Sequence, residues 1–289
     1  MEYTKPITEL IQTRFSCRTY QDANLAPDLV DQLQDWIASL PAGPFGNPQR
    51  FKIIASQPED TTALSGLGTY GFIKNPAGFI LGKSGEGPGQ LEDYGYLMEA
   101  VILKATELEL GTCWLGGTFT RSRFTQEINL SSGEIIPAVV SLGLIAETAR
   151  RVDQTIRNAA DSDQRLPFET LFFRRRFNQP LTRQEAGSYA LPLDMVRLGP
   201  SASNKQPWRV VQKEQVFHFY LQRTPGYPRR LFGFLLQLAD LQRLDLGIAL
   251  AHFELTCREH GLPGTWRVRD PELETPTEDT EYIASWHGR

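Results

Sequence analysis

Two stretches of the chain carry apolar residues at the three- and four-residue spacing of a buried helix face. From Asp93 to Leu110, Tyr94, Leu97, Met98, Val101, Ile102, Ala105 and Leu108 form one stripe, with Asp93 placed to cap the helix and Gly111 to close it. From Asp245 to His260, Leu246, Ile248, Ala249, Phe253 and Leu255 form the other, stopped by Gly261. Ile7, Leu10 and Ile11 predict a short first helix ending near Arg14. Pro27 opens a second, carried by Leu29, Val30, Leu33, Trp36, Ile37 and Leu40. Continuous apolar runs between turn residues predict strands at FKIIAS (from Phe51), AGFILG (from Ala77) and IPAVVSLGLIAE (from Ile136). Further strands are expected at 208–213, 216–221, GTWRVR (from Gly264) and Glu281–Trp286. Residues 82–90, GKSGEGPGQ, read as a mobile surface loop, and 146–166 as a polar connector.

After that connector the order of elements starts again. FSCRTYQ at 15 matches FFRRRFN at 172, and NPQRFKII at 47 matches NKQPWRVV at 204, both at a shift of 157. The long helices end at Gly111 and Gly261, a shift of 150. Repeated motifs in one order imply an internal duplication. The expected fold class is α+β, a fused pseudo-dimer of helix-flanked sheets. Its first half is 1–150 and its second 151–289, the latter with an acidic tail and an insertion near 223–243.

Composition narrows the classes of function. The net charge of −4 gives no general attraction to nucleic acid or to an anionic membrane. The best apolar run, around Leu97 to Leu110, is interrupted by Glu99, Lys104 and Glu107, so no membrane span is expected. Cys17, Cys113 and Cys257 are three, odd in number and far apart, which suits free thiols in a reducing compartment; a cytoplasmic protein is expected. His218, His252, His260 and His287 show no metal-ligand spacing and read as structural, and Cys113 reads as a small packed residue.

Two segments are richer in chemistry than a turn requires. LGPSASNKQPWRVV (198–211) sets Pro200, Ser201, Ser203, Asn204, Lys205 and Gln206 between a helix end and a strand, as either a well-capped turn or the polar edge of a ligand site. TRFSCRTY (13–20) places Arg14, Ser16 and Arg18 within five residues, suited to a phosphate or simply to an exposed basic turn.

In combination these motifs carry a resemblance. Arg-x-Ser-x-Arg at 14–18, PSASNKQPW at 200–208 and GTCWLGG at 111–117 resemble the nitroreductase family of flavin enzymes. DLGIALAHFELT (245–256) and QRLPFETLF (164–172) resemble its subfamily with two halves fused in one chain. The resemblance implies one flavin mononucleotide (FMN) site built from both halves. Arg14 and Ser16 would meet phosphate or ribityl oxygens, with Phe15 beside them, and Arg18 would face the N1–C2=O edge of the ring. Trp114, Leu115, Gly116 and Gly117 would line the ring near N5. Pro200, Ser201, Ser203 and Asn204 would close on it from the second half. Lys205 and Gln206 would either touch the cofactor or fix the loop. Arg165 would add a phosphate ligand, ahead of Arg150, Arg151 and Arg157.

The implied activity is electron transfer from NAD(P)H through FMN to a small electron-poor acceptor such as a nitroaromatic or quinone, by a chain able to act as a monomer. The flavin would carry the chemistry, with no protein acid or base demanded. The alternatives are a flavin-binding carrier or sensor without turnover, and a structural protein that binds no flavin. Arg14 and Ser16 align at 157 with Leu171 and Phe173, and Ser201 and Ser203 with Pro44 and Gly46. A second FMN site is therefore not expected.

Overall fold

The structure is a computed structural model that describes residues 1–56, 64, 67, 69, 71–117, 119–147, 149, 164–226 and 239–289. Its helices are α1 (Ile7–Thr13), α2 (Pro27–Ala38), α3 (Gln90–Glu107), α4 (Arg121–Gln126), α5 (Phe168–Leu171), α6 (Arg183–Ala186), α7 (Ala190–Leu198) and α8 (Leu241–Glu259). Its strands are β1 (Phe51–Ala55), β2 (Gly78–Gly82), β3 (Leu110–Leu115), β4 (Val139–Leu144), β5 (Phe172–Arg174), β6 (Trp208–Lys213), β7 (Val216–Gln222), β8 (Gly264–Arg267) and β9 (Thr280–Gly288).

The strands make two sheets of like order. The first runs β1–β2–β4–β3, all antiparallel; the second runs β5–β6–β7–β9–β8, in which β6, β7, β9 and β8 repeat the order of the first. β5 lies parallel to β6 as an added edge. The final strand, expected at Glu281–Trp286, sits inside the second sheet between β7 and β8. The fold is α+β and internally duplicated, as the repeated motifs implied.

α3 and α8 pack against each other at the centre and are buried on nearly every side. What permits their close approach is a reciprocal pair of glycines. A Cβ on Gly95 would lie 2.2 Å from the Leu244 carbonyl oxygen, and one on Gly247 would lie 2.0 Å from that of Glu92. Gly95 and Gly247, like Glu92 and Leu244, are 152 residues apart, so the two contacts are images of one another.

The same shift relates the helix ends, which corrects the sequence expectation in two places. α3 ends at Glu107 and the left-handed residue that closes it is Glu109 (φ 62°), the counterpart of Gly261 (φ 65°); Gly111 instead lies in β3, packed on Cys17 and Ile145. Nor does Asp93 cap α3. The helix begins a turn earlier after Gly89, and the Asp93 carboxylate accepts the backbone N–H groups of Phe45 (3.0 Å) and Asn47 (2.8 Å).

Two further expectations change. The 82–90 loop is tied down: Ser84 is buried and pairs with Ile135 through both backbone hydrogen bonds, while Lys83 forms an ion pair with Glu134. The match of 15–21 with 172–178 also does not carry into topology. Ser16 bridges Thr112 on β3, whereas Phe172–Arg174 join the opposite edge of their sheet, beside β6. The expected division at 150/151 and most of the insertion near 223–243 fall outside the described residues.

Candidate functional site

Asp245 shows how the second-half loop is held. It lies in the first turns of α8, fully buried, and its carboxylate accepts the backbone N–H of Ala202 at 3.0 and 3.1 Å. Asp93 does the same for Phe45 in the first half, and the pairs correspond at shifts of 152 and 157. Burial pushes the carboxyl of Asp245 well above its ordinary range, against the hydrogen bond from Ala202 that lowers it.

The loop thus anchored is strained. Ser203 (φ 50°), Asn204 (φ 53°) and Gln206 (φ 49°) all adopt the left-handed backbone that L-residues avoid. Side chains compensate. Gln206 N–H donates to Ser201 Oγ (2.9 Å), and Gln206 Oε1 accepts from Leu166 N–H (2.9 Å). Asn204 donates to the Gln164 carbonyl (2.9 Å), and Arg165 donates to Asn204 Oδ1 and to the Leu198 carbonyl, both at 3.3 Å. Gln206 is buried and fixes the loop. Lys205 and Ser203 are exposed, while Pro200, Ser201 and Asn204 are half-buried. Arg150, Arg151 and Arg157 lie outside the described residues.

On the first-half side, GTCWLGG begins on a strand. Trp114 and Leu115 belong to β3, opposite Val140 and Val139, and Gly116 and Gly117 leave its end. A Cβ on Gly116 would meet the Leu241 side chain at 2.5 Å, whereas one on Gly117 would have open space around it. Ser16 lies beside Thr112, and Arg18 Nη1 lies 3.4 Å from the Ser16 carbonyl. Phe15, Ser16 and Arg18 are half-buried.

Arg14 turns inward. Its side chain is only 7% exposed, and its Nε is 3.7 Å from Glu99 Oε1 in the middle of α3. Glu99 accepts the Trp114 indole N–H (2.8 Å) and faces His252 Nε2 (3.0 Å), whose Nδ1 lies 2.8 Å from the Met195 carbonyl. Burial alone would push the Glu99 carboxyl up. The hydrogen bond from His252, the Arg14 charge and the Trp114 donor outweigh it and hold Glu99 below the usual carboxylate range. Arg14, Phe15 and Thr112 also line a cavity of about 230 Å³ with Lys5, Glu9 and Glu109.

α8 is what draws these groups together. It touches Gly116 at Leu241, Ala202 at Asp245 and Glu99 at His252. Eleven residues at 1.5 Å each span about 16 Å of one helix. Arg14, Trp114 and the end of β3 from the first half, and the Ser201–Gln206 loop from the second, all flank that length.

Sequence reasoning missed Glu99, Asp245 and the partners of His252. In a helix buried on all sides, a lone carboxylate gives no sign of which neighbour it faces.

The architecture defines a nitroreductase-like protein made of two fused halves. Residues 6–257 match the family described as "Putative TM nitroreductase", and the chain belongs to that family. Over 99% of its length it is similar to a solved structure from Thermotoga maritima described as a "putative nitroreductase" (18% identity, TM-score 0.61, 95% of that chain covered). About half of it is similar to a nitroreductase family protein from Clostridium difficile 630 (23% identity, TM-score 0.40, 53% of this chain and 92% of that one). A "putative nitroreductase in complex with fmn" from Desulfovibrio desulfuricans is similar over 50% of this chain and 89% of that one (21% identity, TM-score 0.41). No curated protein matches the sequence.

Proposed function

We propose that the protein is an FMN-dependent oxidoreductase that passes electrons from NAD(P)H to a small electron-poor acceptor. The observation that carries the reading is the convergence, along one length of α8, of an arginine and a glycine-terminated strand from one half with a strained polar loop from the other. Membership of a nitroreductase family supports it.

The residues fit the cofactor. Arg14 Nε is buried without a hydrogen-bond acceptor, so the guanidinium keeps donor capacity for phosphate oxygens, joined by Ser16. The open space at Gly117 suits a flat ring, and backbone N–H groups after Trp114 would orient it. Ser201, Ser203 and Asn204 would bond its polar edge, and Arg18 would stabilise negative charge there. Arg165 braces the loop through Asn204 and the Leu198 carbonyl, and a phosphate would compete with those contacts. When bound, FMN supplies the redox chemistry, taking hydride from the nicotinamide and delivering electrons to the acceptor.

The expected result is a yellow protein whose released chromophore is FMN and which bleaches anaerobically with NADH or NADPH. FMN without bleaching would favour a carrier or sensor, and absence of any flavin affinity would defeat the proposal.

A further inference from the structure

We propose that Glu99 and His252, one from each half, form a buried charged pair that positions Arg14 and Trp114 for the cofactor site. This rests on the flavin reading above. Both side chains are fully buried, and each His252 ring nitrogen faces an acceptor: the Met195 carbonyl at Nδ1 and Glu99 Oε1 at Nε2. A carbonyl cannot donate, so Nδ1 carries a proton. Glu99 also accepts the Trp114 indole and faces the Arg14 guanidinium, surroundings that favour a carboxylate. Nε2 therefore carries a proton too, and His252 is an imidazolium.

Tyr3 also lies near Glu99 and Glu107; it is a neutral phenol raised by burial above its ordinary range, whose hydroxyl donates to the Ala100 carbonyl. The cluster thus holds two cations against one anion. An excess positive charge in a buried place is costly unless an anion joins it. A ligand phosphate reaching Arg14 would supply that anion. Glu99 meanwhile prevents the guanidinium from swinging away and fixes the indole from which Leu115, Gly116 and Gly117 continue.

The second half contains an internal control. Trp266, the counterpart of Trp114 at 152, donates its indole N–H to Glu254 (2.7 Å), which also accepts from Tyr96 (2.7 Å) and pairs with Arg258. At the shift of 157 Arg14 aligns in sequence with Leu171, which is buried. That copy keeps the tryptophan but draws its carboxylate from a different helix position, and the arginine on it, Arg258, comes from α8 itself.

The test is nuclear magnetic resonance of the nitrogen-labelled, flavin-free chain, followed by FMN titration of wild type, Glu99→Gln, Glu99→Asp and His252→Gln. The wild type should show both His252 ring nitrogens protonated at neutral pH. In Glu99→Gln the Trp114 indole N–H resonance should move while that of Trp266 stays, which also reports an intact core. FMN affinity should fall about tenfold or more in Glu99→Gln and His252→Gln, and Glu99→Asp should recover part of it. A neutral His252 ring, or an unmoved Trp114 resonance, would overturn the pair whatever the flavin does. Wild-type FMN binding with undiminished binding by Glu99→Gln would overturn the positioning role alone. No FMN binding by the wild type would overturn the flavin reading and this role toward it, leaving the resonances as a separate result.

Discussion

At the scale of single residues, Arg14 and His218 make opposite uses of burial. Arg14 is buried with a carboxylate facing it, and its loss should be felt by an anionic ligand more than by the fold. Arg14→Ala is expected to weaken FMN binding about ten- to a hundredfold, the worth of a charge-assisted contact of roughly 1.5–3 kcal/mol. The core should survive, since His252 and Trp114 still donate to Glu99. Calorimetric titration beside a melting curve checks both halves of the statement, and an unchanged affinity would place the phosphate elsewhere. Among the described residues no carboxylate hydrogen-bonds His218, and the charge of Asp270 does not offset its burial. Its Nδ1 lies 2.7 Å from Ser285 Oγ in the second sheet, and burial holds its pKa down to about 4. The unfolded chain takes up this proton near pH 6.5 and the folded one only near 4, so stability is whole above 6.5 and is lost as pH falls between the two. His218→Gln should flatten that part of the stability–pH curve by about 1–2 kcal/mol, part of the full shift because the site is incompletely sealed. Denaturant titrations at pH 7 and pH 4.5 give the comparison, and parallel losses in both proteins would refute it.

At the scale of elements, the α3–α8 crossing is the least tolerant feature. A methyl at Gly95 or Gly247 would meet a carbonyl oxygen of the opposite backbone, which no rotamer change relieves. Gly95→Ala and Gly247→Ala should each cost about 3 kcal/mol, at the upper end for overpacking, and loosen the seam that carries Glu99 and His252. Thermal melts of the two variants test this; a near-native midpoint in either would mean that the helices can part cheaply. These elements also show what the sequence discloses. The spacing of Tyr94, Leu97, Val101 and Ile102 announces a buried helix, and the runs from Phe51 and Trp208 announce strands, because period and chain-wide apolarity are local properties. β3 was hidden: LGTCWL mixes glycine, threonine and cysteine, and only its pairing with β4 makes it a strand. Asp93 resembled a cap because a carboxylate before an apolar stripe usually is one; its true partners, Phe45 and Asn47, lie more than 40 residues away. Of the site, the arginine-serine segment, the end of β3 and the second-half loop were legible as types of residue. That segments of both halves would meet was implied by the family resemblance, but not that α8 is where they meet, since this depends on the angle at which two helices cross.

At the scale of the whole molecule, the two halves are alike in path and unlike in chemistry. Asp93 and Asp245 hold equivalent loops, but Phe45 stands where Ala202 does and lies on Gly89 at the head of α3. Leu171 and Phe173 align in sequence with Arg14 and Ser16, the first fully buried and the second packed at a tilt on Phe177. The expectation is one FMN per chain, with binding by a monomer. Flavin absorbance against protein concentration, on material sized by light scattering, decides it; a saturating ratio near two, or binding confined to dimers, would contradict it.

The reciprocal glycines carry one more consequence. In an assembly of two identical polypeptides, any substitution is inherited by both subunits at once. A histidine placed to meet Glu99 would then come with its mirror image, putting two imidazoles and two carboxylates around the same axis. Here the positions equivalent to Glu99 and His252 are Ala251 and Ala100, both fully buried and both inert. A single chain is free of that constraint: at these positions one side of the glycine crossing carries a carboxylate and an imidazole while the other carries two alanines.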